Sequence, residues 1–308
     1  MKALVTGADG FVGTWLVRRL LADGWEVTGA VQPRPERDPA GDPDVQWVPL
    51  ELTDPESVRQ VTGSMFDAVV HLAAVASSSD ATRDPRHAWD VNAAGTALLL
   101  EGLARTNRNM RFLFVSTAEV YGGGDATPRK ETDVPAPCSP YAASKLDAEK
   151  TVLKGWSREH IRTVVARAFP HTGPGQDTRF VVPAFVERLR VAKRSGAAAI
   201  KVGNLTPVRE FLHVADVVDA YVRLLASGDS GEIYNVASGR GVSVAELLDI
   251  LAKLMGVSPI REVDPALVRS TDIPYLIGDA SKLRATTGWA PRHSLEETLR
   301  DVIDAQAN

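Results

Sequence analysis

A single cysteine, Cys138, occurs in 308 residues. That excludes an intrachain disulfide and supplies fewer thiolates than a structural zinc site uses. Cys138 reads as an inert loop thiol just ahead of a helix cap. The six histidines show no metal-ligand spacing, so no metal site is predicted. Long apolar runs are lacking too, and no stretch approaches the roughly 18 residues of a bilayer-spanning helix. The opening MKALVTGADGFVG reaches glycine and aspartate too soon for the apolar core of a secretory signal. A soluble, cytoplasmic protein with no membrane partner is the expectation. A basic excess is also missing: 35 Lys and Arg stand against 39 Asp and Glu, a net charge of −4. Such a balance gives no footprint for nucleic acid.

What is present is an ordinary globular composition, 44% hydrophobic and 24% charged, enough for a sizeable core. The length suggests one large domain or a domain plus a smaller lobe. KALVT at 2–6 reads as a buried strand, and FVGTWLVRRLLADG has apolar residues at helical spacing, closed by Gly24. Short apolar runs recur at 25–31, 45–50, 67–73, 111–117 and 161–169, separated by helix-like segments. That alternation predicts an α/β fold, a doubly wound parallel sheet of the Rossmann kind. A long helix is predicted from Ser139-Pro140, where serine caps and proline suits the first helical position. The texture changes after 168, with a glycine- and proline-bearing loop at 170–178. The predicted division is therefore a dinucleotide-binding domain over 1–168, to which the chain returns at about 208–237, and a mixed α/β substrate-binding lobe from 169–207 and 238–308.

The turn after the first strand spaces Gly7, Gly10 and Gly13 as G-x-x-G-x-x-G, with Phe11 and Val12 opening the helix. Three glycines can simply make a turn. Between a strand and a helix, however, they also allow close backbone approach to a pyrophosphate, and free N–H groups favour its charge. The end of the second strand lacks the acid that ordinarily binds a ribose 2′-OH. Gln32 stands there, with Arg34 and Arg37 beyond, which tips the cofactor towards NADP while leaving NAD open. In Tyr141-Ala-Ala-Ser-Lys145 the phenol and ammonium leave one helix face, and an ammonium stabilises a phenolate. Thr117 ends a strand at the carboxyl edge, where α/β proteins place ligands, and is set to hydrogen-bond a carbonyl.

Together with His71-Leu-Ala-Ala, Asn92-Ala-Ala-Gly-Thr96 and Phe114-Val-Ser-Thr-Ala-Glu-Val-Tyr-Gly122, these motifs resemble the extended short-chain dehydrogenase/reductases that act on sugar nucleotides. The resemblance implies a catalytic triad of Thr117, Tyr141 and Lys145, with Lys145 also holding the cofactor ribose. It implies adenine contact by Glu51 and Leu52, a cofactor-lining strand at Leu72, Ala73 and Ala74, and an ordering role for Asn92. Within that family, HTGPGQ from His171, FVV from Phe180, KVGNL from Lys201, YNVASG from Tyr234 and LIGD from Leu276 are most similar to GDP-4-keto-6-deoxy-mannose reductases, which form GDP-rhamnose. That similarity implies substrate contacts from Thr117, Glu119, Phe180, Val181, Arg209 and Arg269, the two arginines gripping a nucleotide diphosphate. Pro170 departs from the pattern, which has asparagine there.

The same residues also suit an NAD-dependent 4-epimerase or a 4,6-dehydratase, since Glu119 occupies a position that serves elimination in dehydratases. A dinucleotide-sensing regulator is the non-enzyme alternative; it would be favoured by loss of Tyr141 or Lys145, and both are present. A homodimer through two long helices is the family expectation. His71 reads as a hydrogen-bonded strand-end histidine.

Overall fold

A computed structural model describes residues 1–33, 42–159, 161–268 and 273–307. Arg34, Arg37 and Arg269 lie outside the described residues. Seven strands form one parallel sheet: β1 (Lys2–Thr6), β2 (Glu26–Val31), β3 (Val45–Pro49), β4 (Ala68–His71), β5 (Arg111–Thr117), β6 (Arg162–Ala168) and, after a long excursion with four short strands, β11 (Ile233–Val236), in the order β11-β6-β5-β4-β1-β2-β3. The strands are near-continuous apolar runs because both faces are covered. The helices that follow them are α1 (Phe11–Ala22), α2 (Pro55–Thr62), α3 (Ser78–Arg83), α4 (Pro85–Trp89), α5 (Thr96–Thr106) and α6 (Pro140–Glu159). A π-helical turn, Asp90–Gly95, joins α4 to α5. The parallel doubly wound sheet predicted from the alternation is the architecture observed.

Each face has its own core. Ala3, Val5, Leu16, Leu20, Leu113 and Tyr221 share one cluster, while Leu4, Val69, Leu99, Phe112, Phe114 and Val152 share the other. The alternation of strand residues between the two clusters is the period-2 pleat. Tyr221 belongs to α8 (Val214–Ser227), so α8 and β11 both serve the main sheet.

A third cluster lies apart from these. It joins α7 (Val181–Ser195), α9 (Val244–Met255) and α11 (Leu295–Ala307) through Phe185, Leu189, Leu247, Leu251 and Leu299. Around it run short pairings: β7 (His171–Thr172) with β10 (Leu212–His213), β8 (Ala199–Val202) with β13 (Ile260–Val263), and β9 (Val208–Arg209) between β12 (Val242–Ser243) and β14 (Tyr275–Leu276). The remaining helix, α10 (Ser281–Thr287), packs near β11. Among the described residues no helix is long and apolar enough to cross a membrane.

Parallel strands place all their carboxyl ends along one edge. Thr6 pairs with His71, His71 with Phe114, and Thr117 with Ala168. The glycine turn, the segment after β4 and the Thr117 segment therefore open on the same side of the sheet, where ligands of such sheets sit.

Candidate active site

Gly7 follows β1 at φ +68°, a left-handed conformation that any side chain would strain. A Cβ there would also stand 3.0 Å from the Ala73 amide nitrogen. At Gly13 a Cβ would run into the Gly7 carbonyl oxygen. The turn is thus closed against side chains on two sides. Gly10 caps α1 with no side-chain hydrogen bond and no acid in the first turn. The first helical bond is Thr14 N–H to Gly10 C=O at 3.0 Å, so the amides of Phe11, Val12 and Gly13 stand ahead of it. Bare backbone and a helix N-terminus with no carboxylate in its first turn suit a diphosphate, and these residues fit the implied dinucleotide.

Leu72, Ala73 and Ala74 continue β4 half-buried beside that turn, and the Leu72 and Ala73 amides bond to Thr6. Gln32 immediately follows β2 and donates to Glu51 Oε2 at 3.2 Å. The other Glu51 oxygen accepts from the Thr53 amide and hydroxyl at 3.1 and 2.8 Å. Burial acts to raise the Glu51 carboxyl, but these hydrogen bonds prevail and hold it below its ordinary range. A carboxylate therefore reaches the end of β2 even though the sequence has none there. Leu52 is buried against Gly95.

Across the edge, Thr117 ends β5 and Tyr141 lies in the first turn of α6, whose cap is Ser139, its hydroxyl accepting the Ala142 N–H at 3.1 Å. The Thr117 side chain is hydrogen-bonded to Tyr141 and accepts the Glu119 amide at 3.2 Å. Burial, first, and the Glu119 carboxylate, second, push the Tyr141 phenol well above its ordinary value, with the Thr117 bond pulling the other way. Glu119 itself accepts the Ser78 hydroxyl at 2.7 Å.

Lys145 is only 3% exposed. Burial draws its ammonium down to about 7, against the opposing pull of Glu149 one turn on. Its Nζ sits over the Phe114 ring, 4.3 Å from the centroid. Glu149 in turn takes a bidentate grip from Arg167, Nε to Oε1 at 3.0 Å and Nη2 to Oε2 at 2.8 Å, with the guanidinium 4.7 Å from the centre of the Tyr121 ring.

Further round, Phe180 caps α7 and Val181 begins it, both half-buried. Pro170 has no N–H, and its carbonyl accepts the Leu212 amide at 3.0 Å. His171 stacks on Phe11 with centroids 6.1 Å apart and interplanar angle 10°. Arg209 is half-buried and donates to its neighbour's carbonyl, Val208 O, at 2.9 Å. Its neighbour Glu210 is fully buried and accepts from the Ser238 amide and hydroxyl at 2.5 and 2.6 Å and from the amides of Gly239 and Gly278 at 2.7 and 2.9 Å. Burial pushes this carboxyl up to about 7 despite those donors.

Three residues of this site escape sequence reasoning. Ser78 lies in a run of serines with nothing to single it out. Glu210 binds partners 28, 29 and 68 residues away, beyond any local pattern. Arg167 did carry a signal, as a charge inside an apolar strand that must find a buried partner.

A family model described as GDP-mannose 4,6 dehydratase matches residues 4–302. The chain belongs to this family. Membership places it among the extended short-chain dehydrogenase/reductases. GDP-6-deoxy-D-mannose reductase of Pseudomonas aeruginosa is 35% identical over 98% of this chain and 96% of its own. Among solved structures, RMD from Pseudomonas aeruginosa complexed with NADPH superposes with a TM-score of 0.85 at 34% identity, covering 99% of this chain and 98% of that one. UDP-glucose 4-epimerase of Thermus thermophilus, in complex with NAD, gives a TM-score of 0.90 at 30% identity, covering 100% of this chain and 99% of that one. Family members of one fold thus differ in reaction, and the chemistry of this site has to distinguish them.

Proposed function

We propose that the protein reduces the C4 ketone of a nucleotide-linked 4-keto-6-deoxy sugar, with GDP-4-keto-6-deoxy-mannose as substrate and GDP-rhamnose as product. When bound, NADPH or NADH supplies the hydride. The observation that carries the reading is the placement of the Tyr141 phenol, near the start of α6, next to the Thr117 hydroxyl at the carboxyl end of β5. A reduction needs a proton delivered to the oxygen that gains charge, and the Tyr141 hydroxyl beside Thr117 is placed to be the donor. Thr117 holds the carbonyl oxygen, and Lys145 binds ribose and steadies the phenolate after transfer. The 35% identity to a GDP-6-deoxy-D-mannose reductase supports the choice of substrate.

A 4,6-dehydration requires a base at C5 and an acid for the leaving hydroxyl. Here Glu119 is held by Ser78, and Ala118 beside it bears no acid. A 4-epimerase uses the same tyrosine and lysine and is the second reading, supported by the NAD-bound epimerase fold. The body around the third core is proposed to take the nucleotide sugar, with Phe180, Val181, Arg209 and Arg269 as contacts. A cytoplasmic homodimer, paired through α6 and a second long helix, completes the reading.

Purified protein given GDP-4-keto-6-deoxy-mannose and NADPH is expected to consume one cofactor per sugar and yield a GDP-6-deoxyhexose. Interconversion of C4 epimers with no net cofactor use would overturn the reductase assignment. Tyr141→Phe should lower turnover by roughly 10²- to 10⁴-fold while NADPH binding, followed by fluorescence, survives.

A further inference from the structure

Thr6 and His71 end neighbouring strands in register, and a buried chain of hydrogen bonds starts between them. The Ala73 amide donates to Thr6 Oγ1 at 3.1 Å, and Thr6 Oγ1 meets His71 Nδ1 at 2.7 Å. On the other side His71 Nε2 meets Thr96 Oγ1 at 2.9 Å, and Thr96 Oγ1 donates to the Asn92 carbonyl at 2.6 Å. The proton positions follow from the partners. Thr96 gives its one hydroxyl proton to the carbonyl, so it accepts from Nε2–H, and Nδ1 is left to accept from Thr6. The imidazole is neutral, drawn down to about 3 by burial and then by the Lys145 charge.

Asn92 lies in the π-helical turn, where the Thr96 amide bonds to the Ala93 carbonyl. The Thr96 hydroxyl reaches back to the Asn92 carbonyl in this turn. The Asn92 side chain takes the Val75 amide at 2.8 Å and donates to Ser144 Oγ at 3.0 Å, and the Ser144 hydroxyl donates to the Tyr141 carbonyl at 2.8 Å. One end of the chain is therefore the Ala73 amide, packed against Gly7. The other end is the first turn of α6, which bears the phenol.

We infer that Thr6, His71 and Thr96 are positioning residues that hold the glycine turn and the Tyr141 end of α6 in one register, so that seating a dinucleotide and placing the phenol are coupled. This rests on the dinucleotide-enzyme reading above. The warrant is that every proton in the chain has one destination, and an unpaired donor in this buried place is costly. A shift at the turn must either carry the chain with it or break it. The network is thus a stiff link through which displacement at one end is felt at the other.

The test uses the full-length protein with NADPH as the probe. Thr96→Val keeps shape and removes the hydroxyl at the centre of the chain, away from the glycine turn. It is expected to weaken NADPH binding at least roughly 5-fold, the lower range of coupling between sites, and Thr96→Ser is expected to restore it. An unchanged Kd in a variant whose thermal midpoint has fallen would show a purely structural role and overturn the inference. Should Thr96→Val fail to fold, Ser144→Ala removes the link at the helix end, where alanine favours the helix; the same loss of affinity is expected, and an unchanged Kd overturns the proposal equally. Wild-type protein that does not bind NADPH would instead defeat the dinucleotide reading.

Discussion

Gln32 and Glu51 illustrate how one side chain can change what a strand end offers. Glu51 follows β3, yet its carboxylate meets the Gln32 amide at the end of β2, where a ribose 2′-substituent is sensed. The absence of an acid at that point of the sequence favours NADP; the charge brought in from the adjacent strand opposes it. Glu51→Gln is expected to raise the preference for NADPH over NADH by roughly 3-fold, the scale of a half-exposed charge interaction. Fluorescence titrations with both cofactors check this, and an unaltered ratio would place the carboxylate out of reach. Tyr141, Lys145 and the three glycines were legible because their chemistry lies in local spacing. The Gln32–Glu51 meeting was not, because it depends on which strands become neighbours.

Among the elements, α6 does two jobs with one face. Tyr141 and Lys145 point into the site, and Glu149, one turn on, goes to Arg167 on β6. Both partners of this ion pair are buried, so its worth lies in mutual compensation rather than in net gain. Arg167→Met should cost about 3–5 kcal/mol in urea denaturation, because Glu149 is then stranded. Adding Glu149→Met should recover much of that loss. If the double variant stays as unstable as the single one, the cost comes from lost packing on Tyr121 instead. The start of α6 was readable from its cap, as were the strands from their periodicity, because both signals are local. The π-helical turn at Asp90–Gly95 was not, since it arises from the bonds of Asn92 to Val75 and Ser144 and leaves no periodic signature.

At the scale of the whole molecule, the sheet and its helices follow from alternation, whereas the pairings around the third core do not, because strands of two to four residues carry too little pattern to read. Glu210, just after β9, ties the segments that follow β11 and β14 to its own with one carboxylate. The position of β11 also has a consequence in time. It supplies the outer neighbour of β6, but the ribosome makes it roughly 70 residues after β6, on the order of 4–14 s at ordinary elongation rates. During that interval β6 emerges with an open row of amides and carbonyls, the kind of margin that recruits other strands. A nascent chain halted near residue 168 is therefore expected to self-associate, and one extended past Val236 to stay monodisperse in gel filtration or to form only defined oligomers. Equal behaviour of the two lengths would mean that the open margin is shielded by something other than β11, and the order of synthesis would then set no window of vulnerability for this enzyme.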